Sequence, residues 1–119
     1  MPQSLSAVYL HLVFSTKNRF NFLNDENVRH SMWEYMAGIC RHLGCPPLTV
    51  GGTSDHTHIL CLLSRTSDVS SFDREIKRAS TKWIKPKGGM LSKFHWQSGY
   101  GAFSVSPSHA KNLQQYIQN

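Results

Sequence analysis

The hydrophobic and polar positions of this chain change period several times, and each change marks an element. In "SAVYLHLVFS" the apolar residues alternate: Val8, Leu10, Leu12 and Phe14 point one way, Tyr9, His11 and Val13 the other. That period of two predicts a strand. "STKNRFNF" breaks the alternation and predicts a loop carrying Lys17 and Arg19. From Asn24 the spacing becomes helical: Val28, Met32, Tyr35, Met36, Ile39 and Leu43 form one stripe, with Glu26, Arg29, Glu34 and Arg41 mostly outside it. Gly44 and the following "CPP" predict its end.

"PLTVGGTSD" predicts a short strand and a Gly-Gly turn, and "HTHILCLL" a strand apolar on both faces. Such a strand belongs at the centre of a sheet that is covered on both sides. Asp68 is placed to cap a second helix with the stripe Val69, Phe72, Ile76, Ala79 and Trp83, ended by "KPKGGM". "KFHWQSGYGAFSVS" predicts a strand or hairpin. Ser106 before Pro107 opens a last helix that buries Ala110, Leu113 and Ile117. The order β-α-β-β-α-β-α fits an α+β fold best, a ferredoxin-like sandwich of an antiparallel sheet with helices. With 119 residues and no repeat or linker, residues 1–119 are expected to form a single domain.

Charge narrows the partner. Thirteen Lys and Arg against seven Asp and Glu give a formal +6, which favours a polyanion, either nucleic acid or an anionic membrane surface. No apolar run is long enough to span a bilayer. The N-terminal stretch lacks the basic start and cleavage site of a secretory signal. Cys40, Cys45 and Cys61 are an odd number without framework spacing. A reduced, cytoplasmic protein is expected.

Seven of the thirteen basic residues (Arg74, Lys77, Arg78, Lys82, Lys85, Lys87 and Lys93) fall between positions 74 and 93, opposed only by Asp73 and Glu75. Trp83, Phe94, His95, Trp96 and Tyr100 are interleaved with them. Cations hold phosphates and rings stack on unpaired bases, so this region is expected to contact nucleic acid. The alternative is a solvated helix face with the aromatics in the core.

"TSDHTHILCLL" places His56 and His58 one residue apart on a predicted strand. Residues i and i+2 share a face about 6.6 Å apart, so two imidazoles converge on one cation while Thr57 turns away. A lone histidine is more often a hydrogen-bonded core residue; a pair preceded by Asp55 reverses that preference. Tyr116, beside the Leu113/Ile117 stripe, is an amphipathic tyrosine at the edge of a core when taken alone. Beside a cation it gains a second use, because a phenol becomes a phosphoryl nucleophile once a metal polarises the phosphate.

Four stretches in order now resemble one family, the single-tyrosine HUH transposases of the insertion-sequence-200-like group and their repeat-associated relatives. "HLVFSTKNR" is similar to the family's first strand and loop, "SDHTHIL" to its metal-binding motif, "WQSGYGAFSVS" to its late strand region and "QQYIQN" to its tyrosine helix. The resemblance implies a ferredoxin-like, usually dimeric enzyme that cuts and rejoins single-stranded DNA next to a hairpin. It implies that His56 and His58 hold a divalent cation, Mg²⁺ or Mn²⁺. By the same resemblance Tyr116 attacks the scissile phosphate, forming a 5′-phosphotyrosine and freeing a 3′-OH. Asp55 is expected to orient one histidine and His11 to face the site from the first strand. Lys17, Arg19, Arg74, Lys77, Arg78, Lys82, Lys85 and Lys87 are expected to contact the DNA.

This chain departs from the family pattern twice. Thr57 stands where a bulky apolar residue is usual, and a third ligand, commonly Gln one helical turn beyond the tyrosine, would fall at position 120. Two rival readings remain beside the enzyme. One is a non-catalytic or host-adopted binder of nucleic-acid hairpins, since a ferredoxin-like sheet with basic and aromatic residues also describes RNA-binding modules. The other is a structural zinc held by Cys40, Cys45 and a histidine.

Overall fold

A computed structural model describes residues 8–118. Its main elements are β1 (Tyr9–Ser15), α1 (Glu26–His42), β2 (Pro47–Gly52), β3 (His56–Leu62), α2 (Val69–Ile84), β4 (Gly101–Val105) and α3 (Pro107–Gln118). Ser6 and Ala7, which open the strand expected from the sequence, lie outside the described residues. The strands stand in the order β2-β3-β1-β4 and every neighbouring pair is antiparallel. This is the ferredoxin-like arrangement, with the doubly apolar β3 and the alternating β1 at its centre.

The alternation of β1 divides the molecule into layers. Leu10, Leu12 and Phe14 join Ile59 and Cys61 of β3 beneath α1 and α2 in the larger core. Met32, Trp33, Met36 and Cys40 come from α1, and Phe72 and Ile76 from α2. Full burial of side chains such as Leu12, Met36 and Ile76 contributes about 1.5–3 kcal/mol each. Both helices start on an aspartate. Asp25 accepts a hydrogen bond from the Val28 amide at 3.1 Å and Asp68 from the Ser71 amide at 2.8 Å.

On the other face a smaller core joins Leu60 of β3 to Ala110 and Ile117 of α3, with Tyr9, Leu48, Val105 and Leu113 packed around it. α3 therefore covers only part of that face.

Three expectations change. The buried stripe of α2 takes in Asp73 and Ser80, with Ala79 only partly buried. Ser80 tolerates the interior because its Oγ donates to the Ile76 carbonyl at 2.7 Å and accepts from Trp96 Nε1 at 2.9 Å. The aromatic segment is a strand only at Gly101–Val105. Short 3-10 turns at Lys85–Lys87 and Gly89–Lys93 precede it. Phe94 is then fully buried, and Trp96 sets its edge against Phe14 and Phe94 with ring centres 4.8 and 4.7 Å apart. These two rings belong to the core and not to a base-stacking surface. Trp83 lies between Tyr35 and the Lys87 ammonium, so only His95 and Tyr100 of the five stay open.

The zinc idea also falls. Cys40, Cys45 and Cys61 are buried free thiols, and the Cys45 sulfur accepts from the Ser64 amide at 3.3 Å. Burial, then the neighbouring Cys45 thiol, pushes the Cys40 thiol up to about 12. Among the described residues no cluster joins these thiols to a histidine as metal ligands, and no helix is long and apolar enough to cross a membrane.

Candidate active site

The residues on the uncovered part of the second face come from three strands in fixed register. Val13 opposes His58, Ser15 opposes His56, and His11 opposes Leu60 on one side and Phe103 on the other. Cross-strand partners share a face, so His11, His56 and His58 stand together beside α3. The rings of His56 and His58 lie 5.0 Å apart and those of His11 and His58 5.2 Å apart, the latter stacked.

A tight turn delivers His56. Gly52 has φ +148, and a Cβ there would stand 2.1 Å from the His56 carbonyl oxygen, so only glycine closes the hairpin this way. The Thr53 amide then donates to that same carbonyl at 2.9 Å. Within the turn His56 Nδ1 meets Asp55 Oδ1 at 2.9 Å and Thr53 Oγ1 at 2.8 Å. Asp55 also receives the Arg19 guanidinium through two contacts of 3.2 and 3.3 Å. The His56 hydrogen bond, and then Arg19, hold the Asp55 carboxyl well down, at about 2. Arg19 reaches this position from a strained turn. Asn18 and Arg19 both have φ 56, a left-handed conformation that costs a non-glycine residue on the order of 1 kcal/mol or more. Thr16 Oγ1, donating to the Phe20 carbonyl at 2.7 Å, and Gln97 Oε1, accepting from the Asn18 amide at 3.0 Å, keep the turn closed. Periodicity carries no sign of this turn, and a local signal for it is Asn18, a residue type that adopts left-handed backbone more readily than most.

His58 is oriented from the other side. Its Nδ1 lies 2.9 Å from His11 Nε2. Burial foremost, then the neighbouring His11 and His56, lowers His58 to about 4, and burial lowers His11 as well. Both rings are therefore neutral near pH 7.

Tyr116 arrives on α3. Gly51 of β2 makes this approach possible, because a Cβ there would stand 2.8 Å from both Cγ2 and the carbonyl oxygen of Ile117. Gln114 Nε2 donates to the Leu48 carbonyl at 3.1 Å and ties the same helix to β2. The Tyr116 ring, 70% exposed, stands edge-on to His58 with ring centres 6.3 Å apart. Tyr116, His56, His58, Arg19 and the stretch Ser98–Gly101 line one pocket of about 490 Å³.

The two histidines fit a cation in one respect and stop short in another. Each has its Nδ1 engaged by a side chain, and neither Nε2 bonds to a described residue. A ring held from behind in this way presents its other nitrogen as a lone pair, the usual arrangement of a ligating histidine. Among the described residues, however, no group of three or more His, Cys, Asp or Glu is arranged as a metal cage. The pair offers two ligands, and the Gln expected one turn beyond Tyr116 lies outside the described residues.

The basic residues separate into groups. Lys77, Arg78 and Lys82 line a second groove of about 360 Å³ that shares Ser98 with the histidine pocket. Arg78 is partly offset by Glu75 at 2.9 Å. Arg74 and Lys17 are exposed, Lys85 is half-buried, and Lys87 lies over Trp83 at 4.3 Å. Lys77 touches the same groove but turns its ammonium inward, its side chain 15% exposed. An inward ammonium with three oxygen partners is poorly placed for phosphate, and the helical spacing alone gives no sign of this.

The family described as "Transposase IS200 like" matches residues 4–119. No curated protein matches the chain. Among solved structures, a proposed transposase of Deinococcus radiodurans R1 superposes with a TM-score of 0.74 at 24% identity, covering 95% of this chain and 90% of its own. A REP-associated tyrosine transposase bound to a REP hairpin superposes with a TM-score of 0.60 at 18% identity, covering 93% of this chain and 62% of its own. A match running through the first strand, the histidine strand and the tyrosine helix alike places this chain in the IS200-like transposase family.

Proposed function

We propose that this transposase-family protein is a metal-dependent enzyme that cuts and rejoins single-stranded DNA through Tyr116. The observation that carries the reading is the meeting of Tyr116 with His56 and His58 in one pocket. Tyr116 Oη attacks the scissile phosphorus and the bond from phosphorus to the 3′ oxygen breaks. The phenol gives up its proton, the departing 3′ oxygen takes one, and the protein keeps a 5′-phosphotyrosine. Attack by a 3′-OH reverses the step, so rejoining needs no external energy source. A divalent cation, Mg²⁺ or Mn²⁺, held through Nε2 of His56 and His58, would supply the Lewis acidity that stabilises charge on the phosphoryl oxygens. Asp55 and His11 keep the two rings turned toward it.

Arg78 and Lys82 border the groove that meets the pocket at Ser98, giving the strand a basic track toward the site. By likeness to the hairpin-bound relative, the substrate carries a DNA hairpin beside the cut. The outer edge of β4, which pairs only with β1 among the described residues, supports a homodimer, since an open edge is a template for a second strand. The same reading places the protein with the cell's DNA in the cytoplasm.

The test is incubation with labelled single-stranded hairpins and Mn²⁺, followed by a denaturing gel. Wild type should form a covalent protein–DNA band, and Tyr116→Phe should bind the same DNA without forming it. A band that persists in the Phe variant removes Tyr116 from the role. Tight binding with no band from wild type would favour the non-catalytic binder.

A further inference from the structure

We propose that Lys77 is a positioning residue for the pocket: from the interior of α2 it clamps the segment that forms one wall of the site. The inference rests on the reading of the pocket as the cleavage site. Lys77 Nζ lies 3.1 Å from Asp73 Oδ2 and donates to the carbonyls of Gln97 at 3.1 Å and Gly99 at 2.8 Å. It also sits 5.1 Å from the centre of the Phe14 ring. All three ammonium hydrogens thus have oxygen partners, and the cation faces an aromatic side chain of the main core. Asp73 is 6% exposed, and burial raises its carboxyl against the opposing pull of Lys77.

The clamped segment explains why a charge pair is kept inside. Ser98, Gly99, Tyr100 and Gly101 form the pocket wall facing His56, His58 and Tyr116. Gln97 joins that wall to the opposite side: its amide donates to the Ser15 carbonyl at 2.8 Å, and its side chain holds the turn that aims Arg19 at Asp55. One ammonium therefore fixes the backbone on which the wall and the Arg19–Asp55–His56 chain both depend. A cation meant for phosphate would point outward, as Arg78 and Lys82 do.

Removing Lys77 alone would strand the buried Asp73 carboxylate and confuse the result with unfolding. The informative variant is Asp73→Leu/Lys77→Met, which removes the clamp and leaves no unpaired charge. Hydrogen–deuterium exchange in residues 97–101 should quicken while β1 and β3 keep their protection. The single-turnover rate of adduct formation should fall roughly 10- to 100-fold, as a slightly misplaced site does, with hairpin affinity unchanged. In the wild type, an amine-acetylating reagent should modify Lys82 and Lys87 well before Lys77, a readout that needs no variant to fold.

Unchanged exchange at 97–101, faster exchange with an unchanged adduct rate, or acetylation of Lys77 as fast as Lys82 would each overturn the proposal. A loss confined to hairpin affinity would instead return Lys77 to the phosphate-contacting residues. Should wild type form no adduct at all, the cleavage reading fails, while the exchange and acetylation results still decide whether the clamp exists.

Discussion

His11 Nε2 lies 2.9 Å from His58 Nδ1 across two strands, so the inner nitrogen of one candidate ligand is already engaged by a second imidazole. The register makes them diagonal neighbours: His11 opposes Leu60, and His58 opposes Val13 two positions along. Such a contact fixes both the tautomer and the rotation of a ligating ring. His11→Leu, which keeps an apolar side chain of useful size, should weaken Mn²⁺ binding roughly 10- to 100-fold in calorimetric titration. An unchanged affinity would show that His58 is oriented by other groups or is not a ligand.

The same burial makes the metal-free protein sensitive to acid. His58 is lowered to about 4 and His11 is also lowered, while an unfolded chain protonates its histidines near about 6.5. Between those values the unfolded state binds more protons, so stability is complete above the upper one and is lost as pH falls toward the lower. Thermal melts in EDTA should show a Tm that is level near neutrality and declines from about pH 6.5 to about pH 4. His58→Gln should flatten part of that decline, and a profile identical to wild type would remove His58 as its source.

Much of this site is legible in the sequence because its geometry is mostly backbone geometry. His56 and His58 share a face through the period of a strand, and the apolar stripe of α3 fixes which way Tyr116 stands. The order of elements implies the sheet that joins them. What the sequence hides is what tertiary packing decides. Nothing in a period of 3.6 shows that Lys77 turns inward while Lys82 points out, because the two lie on opposite flanks of the predicted apolar stripe of α2, each outside it. Phe94 and Trp96 likewise look the same as base-stacking rings until Phe14 and Ser80 are seen to receive Trp96. Trp33, buried in α1, falls off the simplest apolar stripe, so periodicity does not assign it to the core.

Thr57, between the two histidines, points into the larger core with its Oγ1 buried and unpaired. An unsatisfied hydroxyl costs stability that an isosteric methyl does not. Thr57→Val should therefore raise unfolding stability by about 1 kcal/mol, measured by urea titration. Adduct formation should be unaffected, because the side chain faces away from the pocket. A stability loss would show that the hydroxyl finds a partner, such as a buried water.

The exposed cations offer a separate test through salt. Neutralising Arg78 and Lys82, and leaving Lys77 in place, should weaken binding to every single strand regardless of sequence. The log–log dependence of affinity on salt should flatten by roughly 0.7 for each phosphate that the protein no longer neutralises. Arg78 already shares its charge with Glu75, so Lys82 should carry the larger part. An unchanged slope would make this stripe an ordinary solvated helix face.

The placement of the nucleophile can be tested without touching it. Gly51 lies in β2 beneath the last turn of α3, and a Cβ there would meet the Ile117 carbonyl oxygen, a backbone atom that cannot rotate aside, at 2.8 Å. Ordinary contact to a carbon atom begins near about 3.5 Å, so in Gly51→Ala the helix must retreat by roughly half an ångström or more. Tyr116 precedes Ile117 and moves with it, whereas His56 and His58 belong to β3 and stay in their ladder. Adduct formation should then fall roughly 10- to 100-fold, with Mn²⁺ affinity and hairpin binding close to wild type. Gly38 in α1 is the matched control. A Cβ there meets nothing within 4 Å, so Gly38→Ala should leave the rate alone and add roughly 0.5–1 kcal/mol of stability. If Gly51→Ala forms adduct at the wild-type rate, α3 reaches its position by contacts other than this one. Gln114, bonded to the Leu48 carbonyl, is then the next residue to change.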